Sequence, residues 1–419
     1  MMFEFNFRTM NDMIQNLSSV DLRIPTAVAV SGGVDSMSLL HALASRAREV
    51  QQPLWAFHIH HDLQAAADGW QVLVREAAAR LGVSFDTRRL DARTQAPAQS
   101  VEEWARQGRY RALADLARQH GVRQIVLAHH EDDQIETYLL QTERGAGVRG
   151  QSAMPTRMER HGIAWLRPWL TVSRAQIYAY AHAQGIEYVH DPSNVDPRFK
   201  RSAIRVQLAQ APLTAQRRAD ILNAIQTAQR QQASDSAWAQ QIIARHSVSH
   251  RADIGECGRL RAVNLSDYLS DYAAEQAHIL LREWMAQMGW RMPSRAALDE
   301  LLRQLSKPAH NRQMCWRHAD GWAVTQLKHD WIAARLLPTG QWFLTDEVRA
   351  RITREGLSIR ARMGGERLRL ANHRPSIDLK HAYQMYGVAP MLRGQLPLLY
   401  DGERLVHVVG VGDVLPADH

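Results

Sequence analysis

The sequence predicts an α/β fold with a doubly wound parallel sheet, followed by a helical domain and a small β-rich domain. Three observations support this prediction. Short apolar segments alternate with helical patterns through about residue 200, helical spacing continues to about residue 335, and short strand-like segments return near the end. Alternating strands and helices indicate right-handed βαβ crossovers and a parallel sheet that is covered on both faces.

The first part of the chain contains four predicted strands and three predicted helices. The strands are short and rich in apolar or β-branched residues, and the helices carry apolar residues at intervals of three and four. The strands are predicted at 26–30, 54–59, 84–88 and 124–128, and the helices at 37–49, 66–81 and 101–120. Ligands of such sheets bind beyond the carboxyl ends of the strands, so residues that directly follow the strands are candidates for the site.

The composition changes after Pro212. From there the chain is rich in Ala, Gln, Arg and Trp with helical spacing, and a hairpin is predicted at 314–331. A linker at 337–340 precedes strand-like segments at 357–361 and 405–411, which are separated by glycine turns. We therefore predict three domains: a catalytic domain at 1–212, a helical domain at 213–336 and a β-rich domain at 337–419.

Composition limits the class of protein. A chain of 419 residues is too long for one ordinary hydrophobic core, so more than one domain is expected. Its net charge of +8 is compatible with a polyanionic partner. The two cysteines, Cys257 and Cys315, form no C-x-x-C pair, which argues against structural zinc, an iron–sulfur cluster or a disulfide framework. The segment 1–20 has no apolar centre, and no stretch approaches the ~18 apolar residues of a membrane span. We expect a cytoplasmic protein without a membrane partner.

The most informative motif is the glycine turn SGGVDS at 31–36, between an apolar strand and an amphipathic helix. Two glycines allow the backbone to approach an anion closely, and the N–H groups and dipole of a helix N-terminus attract it. The motif is neither a Walker loop nor G-x-G-x-x-G. A tight turn with a serine cap is the alternative without a ligand. The predicted nucleotide-binding residues of this loop are Ser31, Gly32, Gly33, Val34, Asp35 and Ser36.

A second polar segment, HHEDDQIET at 129–137, follows the strand predicted at 124–128 and therefore lies at the same edge of the sheet. Asp133 and Glu136 are three residues apart, so on a helix they share one face and could hold one cation or orient one amine. Paired carboxylates in the first turn of a helix are also common as solvated caps. The spacing alone leaves both interpretations open.

A third segment, FHIHHDLQ at 57–64, places three histidines within four positions, at His58, His60 and His61. Zinc would require a fourth ligand and supporting hydrogen bonds, and the sequence offers no clear fourth ligand. We therefore expect this strand end to border an adenine pocket.

Two basic segments are ambiguous when taken alone. Arg109 lies in the helix predicted at 101–120, where arginine side chains usually lie on the surface. The polar turn DPSN at 191–194 leads into the basic segment 199–205, which a charged linker explains equally well.

Taken together, these segments resemble the tRNA(Ile)-lysidine synthetases, a family of N-type ATP pyrophosphatases with a PP-loop. SGGVDS fits the family signature SGGxDS, and TERGAGVRG at 142–150 distinguishes this family from other ATP pyrophosphatases. Asp62 departs from the pattern by replacing a usual Gly, and Ser202 replaces the Asn that usually follows the arginine. The other matching segments, in family order, are HIHHDLQ, RY at 109–110, AHHEDDQIET, RPWL at 167–170, and DPSN with Arg201 and Arg205.

The resemblance implies a carbon–nitrogen ligase that uses ATP and Mg²⁺. Its partners would be L-lysine and the isoleucine tRNA with anticodon CAU, whose wobble cytidine becomes lysidine through an adenylated intermediate. Asp35 would hold the metal, Asp133 and Glu136 would receive the lysine ammonium group, and Arg109 would stabilise charge on the adenylate. Further nucleotide contacts are expected from His58, His61 and His129, and tRNA phosphate contacts from Arg144, Arg149, Arg201 and Arg205. The C-terminal domains would read tRNA identity, and self-association as a homodimer is left open.

Two other classes are compatible with these motifs. One is a different ATP pyrophosphatase. A cytidine thiolase would need paired cysteines, and an amide-forming synthetase would need an ammonia source, neither of which this sequence shows. The other is a nucleotide-sensing RNA-binding protein without turnover, against which the intact Asp35, Asp133 and Glu136 argue.

Overall fold

A computed structural model of the chain describes most of its residues. These residues form two compact units, Met1–Gln232 and Ala233–His419. The described residues are 13–60, 67–91, 101–190, 200–247, 257–261, 274–290, 292–305, 315–318, 321–327, 330–338, 340–371 and 375–415.

A six-stranded sheet forms the centre of the first unit, with strand order β3-β2-β1-β4-β6-β5. Neighbouring strands are parallel except for β5, which is antiparallel to β6. The predicted parallel sheet is therefore confirmed, with an antiparallel edge strand in addition. The strands are β1 (Thr26–Ala29), β2 (Leu54–His60), β3 (Ser84–Arg89), β4 (Gln124–Val126), β5 (Arg157–Arg160) and β6 (Ile163–Leu166).

The strand order reverses between β1 and β4. The chain proceeds from β1 to β2 and β3 on one side, and from β4 to β6 on the other. Such a reversal opens a crevice at the carboxyl ends of the two central strands. The loop at 31–36 follows β1 and the segment at 129–137 follows β4, so both predicted site segments lie at this crevice.

Helices cover both faces of this sheet. The described helices that begin in the first unit are α1 (Val34–Glu49), α2 (Ala67–Leu81), α3 (Val101–Gln119), α4 (Glu131–Glu143), α5 (Val148–Gln151), α6 (Arg174–Ala183), α7 (Lys200–Gln210) and α8 (Ala215–His246).

Successive residues of the central strands are buried in opposite cores. Ala27 and Ile125 contribute to a cluster that includes residues of α3, whereas Val28 and Val126 contribute to a cluster that includes residues of α1 and α6. All four side chains are fully buried. Burial of both faces explains why these strands read as continuous apolar segments.

The first half of α8 packs against α4. Ile221 and Ile225 form a small buried cluster with Ile135 of α4. Arg218 of α8 also donates from Nε to Glu131 Oε1 (2.8 Å) and from Nη1 to Asp132 Oδ1 (3.0 Å), at the first turn of α4. The position of α4 therefore depends on α8.

Replacement of Arg218 by methionine is expected to lower the free energy of unfolding by about 1 kcal/mol or more, because two partly buried carboxylates lose a charged donor. Arg218→Lys should recover part of the loss. The matched control is Arg217→Met, because Arg217 is exposed on the same helical turn. Chemical denaturation of the three variants measures the effect. Equal stability of Arg218→Met and Arg217→Met would show that the pairs contribute nothing.

The second unit contains two four-stranded antiparallel sheets and a two-stranded one. Their orders are β7-β10-β9-β8, β11-β14-β15-β16 and β12-β13. The elements are β7 (Cys257–Arg261), α9 (Ala274–Gln287), α10 (Arg295–Leu305), β8 (Cys315–Arg317), β9 (Trp322–Leu327), β10 (Asp330–Arg335), α11 (Asp346–Glu355), β11 (Ser358–Arg360), β12 (Arg367–Leu368), β13 (Ile377–Asp378), α12 (Leu379–Met385), β14 (Leu398–Asp401), β15 (Arg404–Val408) and β16 (Gly412–Asp413).

Two cores share strand β10. Trp331 and Ala333 lie in a cluster with residues of α9 and α10, whereas Ile332 and Ala334 lie in a cluster with residues of α12 and β14. The predicted hairpin at 314–331 corresponds to β8, β9 and the start of β10, and β7 joins this sheet in addition. Domain boundaries near 212 and 336 stay predictions. Across the residues described in both units, no helix is both long and apolar enough to span a bilayer.

Candidate active site

The loop at 31–36 turns tightly between β1 and α1. Gly32 has a φ of +94°, and a Cβ at this position would lie 3.1 Å from Val189 Cγ2. Both the left-handed conformation and this contact favour glycine. The Ser36 hydroxyl accepts from the Ser31 amide and donates to the Gly33 carbonyl, both at 3.1 Å. The serine thus fixes the loop internally, and the first-turn amides of α1, which have no acceptor within the helix, remain available to a ligand.

Asp35 lies in the first turn of α1. Its Oδ2 atom is 3.7 Å from Nε2 of His130, the residue that precedes α4. Its Oδ1 atom is buried and has no hydrogen-bond partner among the described residues. A buried carboxylate oxygen without a donor suits a bound cation.

His130 joins the two helix N-termini. Its backbone N–H donates to Asp133 Oδ2 (3.1 Å), and its ring nitrogens lie 3.6–3.7 Å from carboxylate oxygens of Asp35, Asp132 and Asp133. Burial disfavours the charged ring, but the carboxylates outweigh it and raise the pKa of His130. A protonated His130 would hold the residues that follow β1 and β4 together.

Asp133 and Glu136 form a carboxylate–arginine quartet with Arg201 and Arg205 of α7. Arg201 donates from Nε to Glu136 Oε2 (3.0 Å), and Arg205 donates from Nε to Glu136 Oε1 (2.7 Å). Both arginines also reach Asp133 Oδ1, at 3.4 and 3.0 Å. Burial opposes ionisation of Asp133, but the positive charges of His130, Arg201 and Arg205 outweigh it and hold the pKa of Asp133 well below its usual range.

A cationic cluster lies beside the quartet. Arg167, which directly follows β6, is buried and donates from Nε to His129 Nδ1 (3.2 Å). Because arginine cannot accept a hydrogen bond, His129 Nδ1 must be the acceptor, which places its proton on Nε2. Burial holds the pKa of His129 well below its usual value, so the ring is neutral. Burial also lowers the pKa of Arg109. The positive charge of Arg109 in turn contributes to the low pKa of His129.

The remaining predicted residues lie in different environments. His58 is buried, and its Nδ1 is 2.9 Å from the Val30 carbonyl oxygen, just before the loop. Arg144 and Arg149 are exposed at the end of α4 and on α5. His61 lies outside the described residues. Nothing in this geometry tests the predicted roles of these four residues.

Three functional candidates were not singled out from the sequence. They are His130, Arg167 and Arg218, which contact Asp35, His129 and the start of α4, respectively. The sequence could have indicated Arg167, because this residue begins the RPWL segment at the carboxyl end of a strand in the same sheet. Arg218 had none, since its role depends on how α8 packs.

The fold and the loop together define a PP-loop protein of the ATP pyrophosphatase type. The family model for the PP-loop domain matches residues 7–212. Two further family models match the second half of the chain: the TilS substrate binding domain at 267–329 and the TilS substrate C-terminal domain at 357–413.

Whole-chain relatives narrow the class to one family. A tRNA(Ile)-lysidine synthase from Ralstonia nicotianae is 36% identical, over 93% of this chain and 89% of its own length. One from Bordetella pertussis is 44% identical, over 70% and 91%. A third, from Pseudomonas aeruginosa, is 35% identical, over 92% and 89%. The chain belongs to the tRNA(Ile)-lysidine synthase family, as its motifs predict.

Proposed function

We propose that the protein ligates L-lysine to C2 of the wobble cytidine of an isoleucine tRNA with anticodon CAU. The observation that carries this proposal is the meeting of two helix N-termini at one crevice, one with the PP-loop and Asp35, the other with Asp133 and Glu136. One end suits a nucleotide and the other an amine. Membership of the tRNA(Ile)-lysidine synthase family supports the same assignment.

The chemistry requires two steps because the C2 carbonyl of cytosine is urea-like and unreactive. In the first step the C2 oxygen attacks the α-phosphate of ATP, and pyrophosphate leaves. In the second step the ε-amine of lysine attacks C2, and AMP leaves with the oxygen. The amides of 31–36 and the N-terminus of α1 would bind the departing phosphates.

Asp35 is the residue that we assign to Mg²⁺. Its buried Oδ1 atom has no donor among the described side chains and backbone groups, which fits a cation ligand. When bound, Mg²⁺ would neutralise charge that develops on the leaving pyrophosphate. Asp35 would hold this charge next to the first turn of α1.

Asp133 and Glu136 would bind the lysine ammonium group, but they differ as proton acceptors. Free lysine has a pKa of about 10.4, so its amine is protonated and unreactive at neutral pH. The low pKa of Asp133 keeps it ionised, which suits attraction of an ammonium group but makes it a weak proton acceptor. We assign the attraction of the ammonium group to both carboxylates and the acceptance of the proton to Glu136 alone.

Arg109 and neutral His129 would bind the adenylate, and Arg167 would hold His129 in place. The Arg109 guanidinium would offer positive charge to the phosphate, and His129 Nε2–H would offer a hydrogen bond without an added charge. We assign Arg167 to positioning, because it is buried and donates to His129, to the Pro155 carbonyl and to the Tyr110 hydroxyl.

The anticodon base must enter the crevice unpaired, which a single-stranded loop permits. Arg144 and Arg149 are exposed cations that would contact its flanking phosphates. The second unit would supply tRNA identity, and the reaction would take place in the cytoplasm.

Replacement of Arg144 and Arg149 by alanine should flatten the salt dependence of tRNA affinity by a log–log slope of about 0.7 to 0.9 for each lost contact. Filter binding at several salt concentrations measures this slope. Arg123→Ala is the matched control, because Arg123 is exposed at the amino end of β4, opposite the crevice. A slope equal to that of the control would remove both arginines from the interface.

Incubation of the protein with ATP, Mg²⁺, labelled lysine and a CAU-bearing tRNA transcript tests the function. We expect label in the RNA and stoichiometric release of pyrophosphate and AMP, and neither with a transcript of different anticodon. Pyrophosphate release without label would indicate a different ATP pyrophosphatase, such as a thiolase. Nucleotide binding without pyrophosphate release would indicate a nucleotide-sensing RNA-binding protein.

A further inference from the structure

The carboxylate–arginine quartet is layered. The side chains of Asp133 and Glu136 are only 9% and 6% exposed, whereas those of Arg201 and Arg205 are 22% and 27% exposed. The guanidinium groups therefore lie nearer to solvent, above the carboxylates. Dissolved anions therefore reach the arginine side chains more readily than cations reach the carboxylates.

The two arginines already occupy the carboxylate oxygens that an ammonium group would need. Each oxygen of Glu136 accepts a hydrogen bond from one guanidinium, and Asp133 Oδ1 accepts from both. The four side chains carry two positive and two negative charges. His130, whose ring nitrogen Nε2 lies 3.6 Å from Asp133 Oδ2, adds a further positive charge when it is protonated. A lysine ammonium group added to these side chains therefore gains little attraction and competes with donors that are already in place.

Phosphate interacts with the same four side chains in the opposite way to an ammonium group. It is attracted to the partly exposed arginines and repelled by the more deeply buried carboxylates. Arginine binds phosphate in the same paired geometry in which it binds carboxylate, so a phosphate can replace the hydrogen bonds to the carboxylates. Arg201 would also give up its hydrogen bonds to the Asp133 carbonyl and to Thr137 Oγ1, both at 3.2 Å. After the exchange, the buried carboxylates have lost both guanidinium partners and attract an ammonium group more strongly.

We propose that Arg201 and Arg205 cover the lysine-binding carboxylates in the free enzyme, and that phosphate groups of bound tRNA or nucleotide draw them away. Lysine then binds after whichever of the two supplies the phosphate has entered. This proposal rests on the proposed function and adds an order of binding to it.

Equilibrium dialysis of labelled lysine against the full-length protein tests the proposal. The four arms are free enzyme, enzyme with an ATP analogue that cannot be cleaved between the α and β phosphates, enzyme with tRNA transcript, and enzyme with both. We expect lysine to bind about tenfold or more tightly when phosphate is supplied, and the arm in which this occurs identifies its source. Equal affinity in all four arms would overturn the proposal.

Arg205→Gln should bind lysine about tenfold more tightly than wild type in the free-enzyme arm. The substitution removes one of the two guanidinium groups that pair with Asp133 and Glu136. The matched control is Lys200→Gln, which removes an exposed cation from the same helix. If Arg205→Gln does not fold by thermal unfolding, Arg201→Gln takes its place. Unchanged lysine affinity in the folded variant would also overturn the proposal. If labelled lysine still enters tRNA, the failure concerns the order of binding and not the proposed function.

Discussion

Replacement of Asp35 by asparagine is expected to reduce formation of adenylated tRNA by about 100-fold or more, with little change in thermal unfolding. Asparagine has the same shape, but it lacks the negative charge that would hold a cation beside the departing pyrophosphate. The side chain is 30% exposed, so loss of its charge leaves the core intact. Pyrophosphate release and a thermal melt on the same preparation measure the two effects.

The control for this variant is Asp115→Asn. Asp115 is exposed on α3, where it pairs with Arg118 of the same helix. We expect this variant to form adenylated tRNA at the wild-type rate. If Asp35→Asn also did so, Asp35 could not be the residue that holds the metal.

Replacement of Glu136 by glutamine should raise the KM for lysine by about 10- to 100-fold and leave the KM for ATP within about twofold. The buried carboxylate would lose the charge that attracts the ammonium group, while the amide keeps the shape of the side chain. Thermal stability should also fall, because Arg201 and Arg205 lose a charged acceptor. Initial rates at saturating tRNA give both constants.

Glu143→Gln is the matched control, since Glu143 is exposed at the last turn of the same helix. Its constants should equal those of wild type. A raised KM for ATP with an unchanged KM for lysine in Glu136→Gln would move Glu136 to the nucleotide.

Features that depend on neighbouring residues were predictable from the sequence. The loop at 31–36 is set by two glycines and two serines within six positions, and the structure places it at the end of β1 as predicted. Asp133 and Glu136 both lie on α4, and their spacing of three residues places their side chains on the same face of this helix. The hairpin of β5 and β6 was missed, since its strands are four residues long and one of them is mostly charged.

Features that depend on distant residues were not predictable in this way. Arg201 lies 65 residues after Glu136, and their pairing requires α7 to pack against α4. The same is true of Arg167 and His129, which follow different strands of the sheet. The sequence predicts phosphate contacts for Arg201 and Arg205, and only their place in the fold suggests that they first bind carboxylates.

Strand β10 links the folding of the two cores of the second unit. Its side chains alternate between them, so a slip of one residue would remove Trp331 from one core and Ile332 from the other. Because the two cores share this strand, unfolding of one removes buried side chains from the other. We therefore expect the second unit to lose both cores in a single cooperative melting transition. A chain cut near residue 336 would leave β10 with one face uncovered. Fragments meant to isolate the C-terminal sheet should therefore retain this strand.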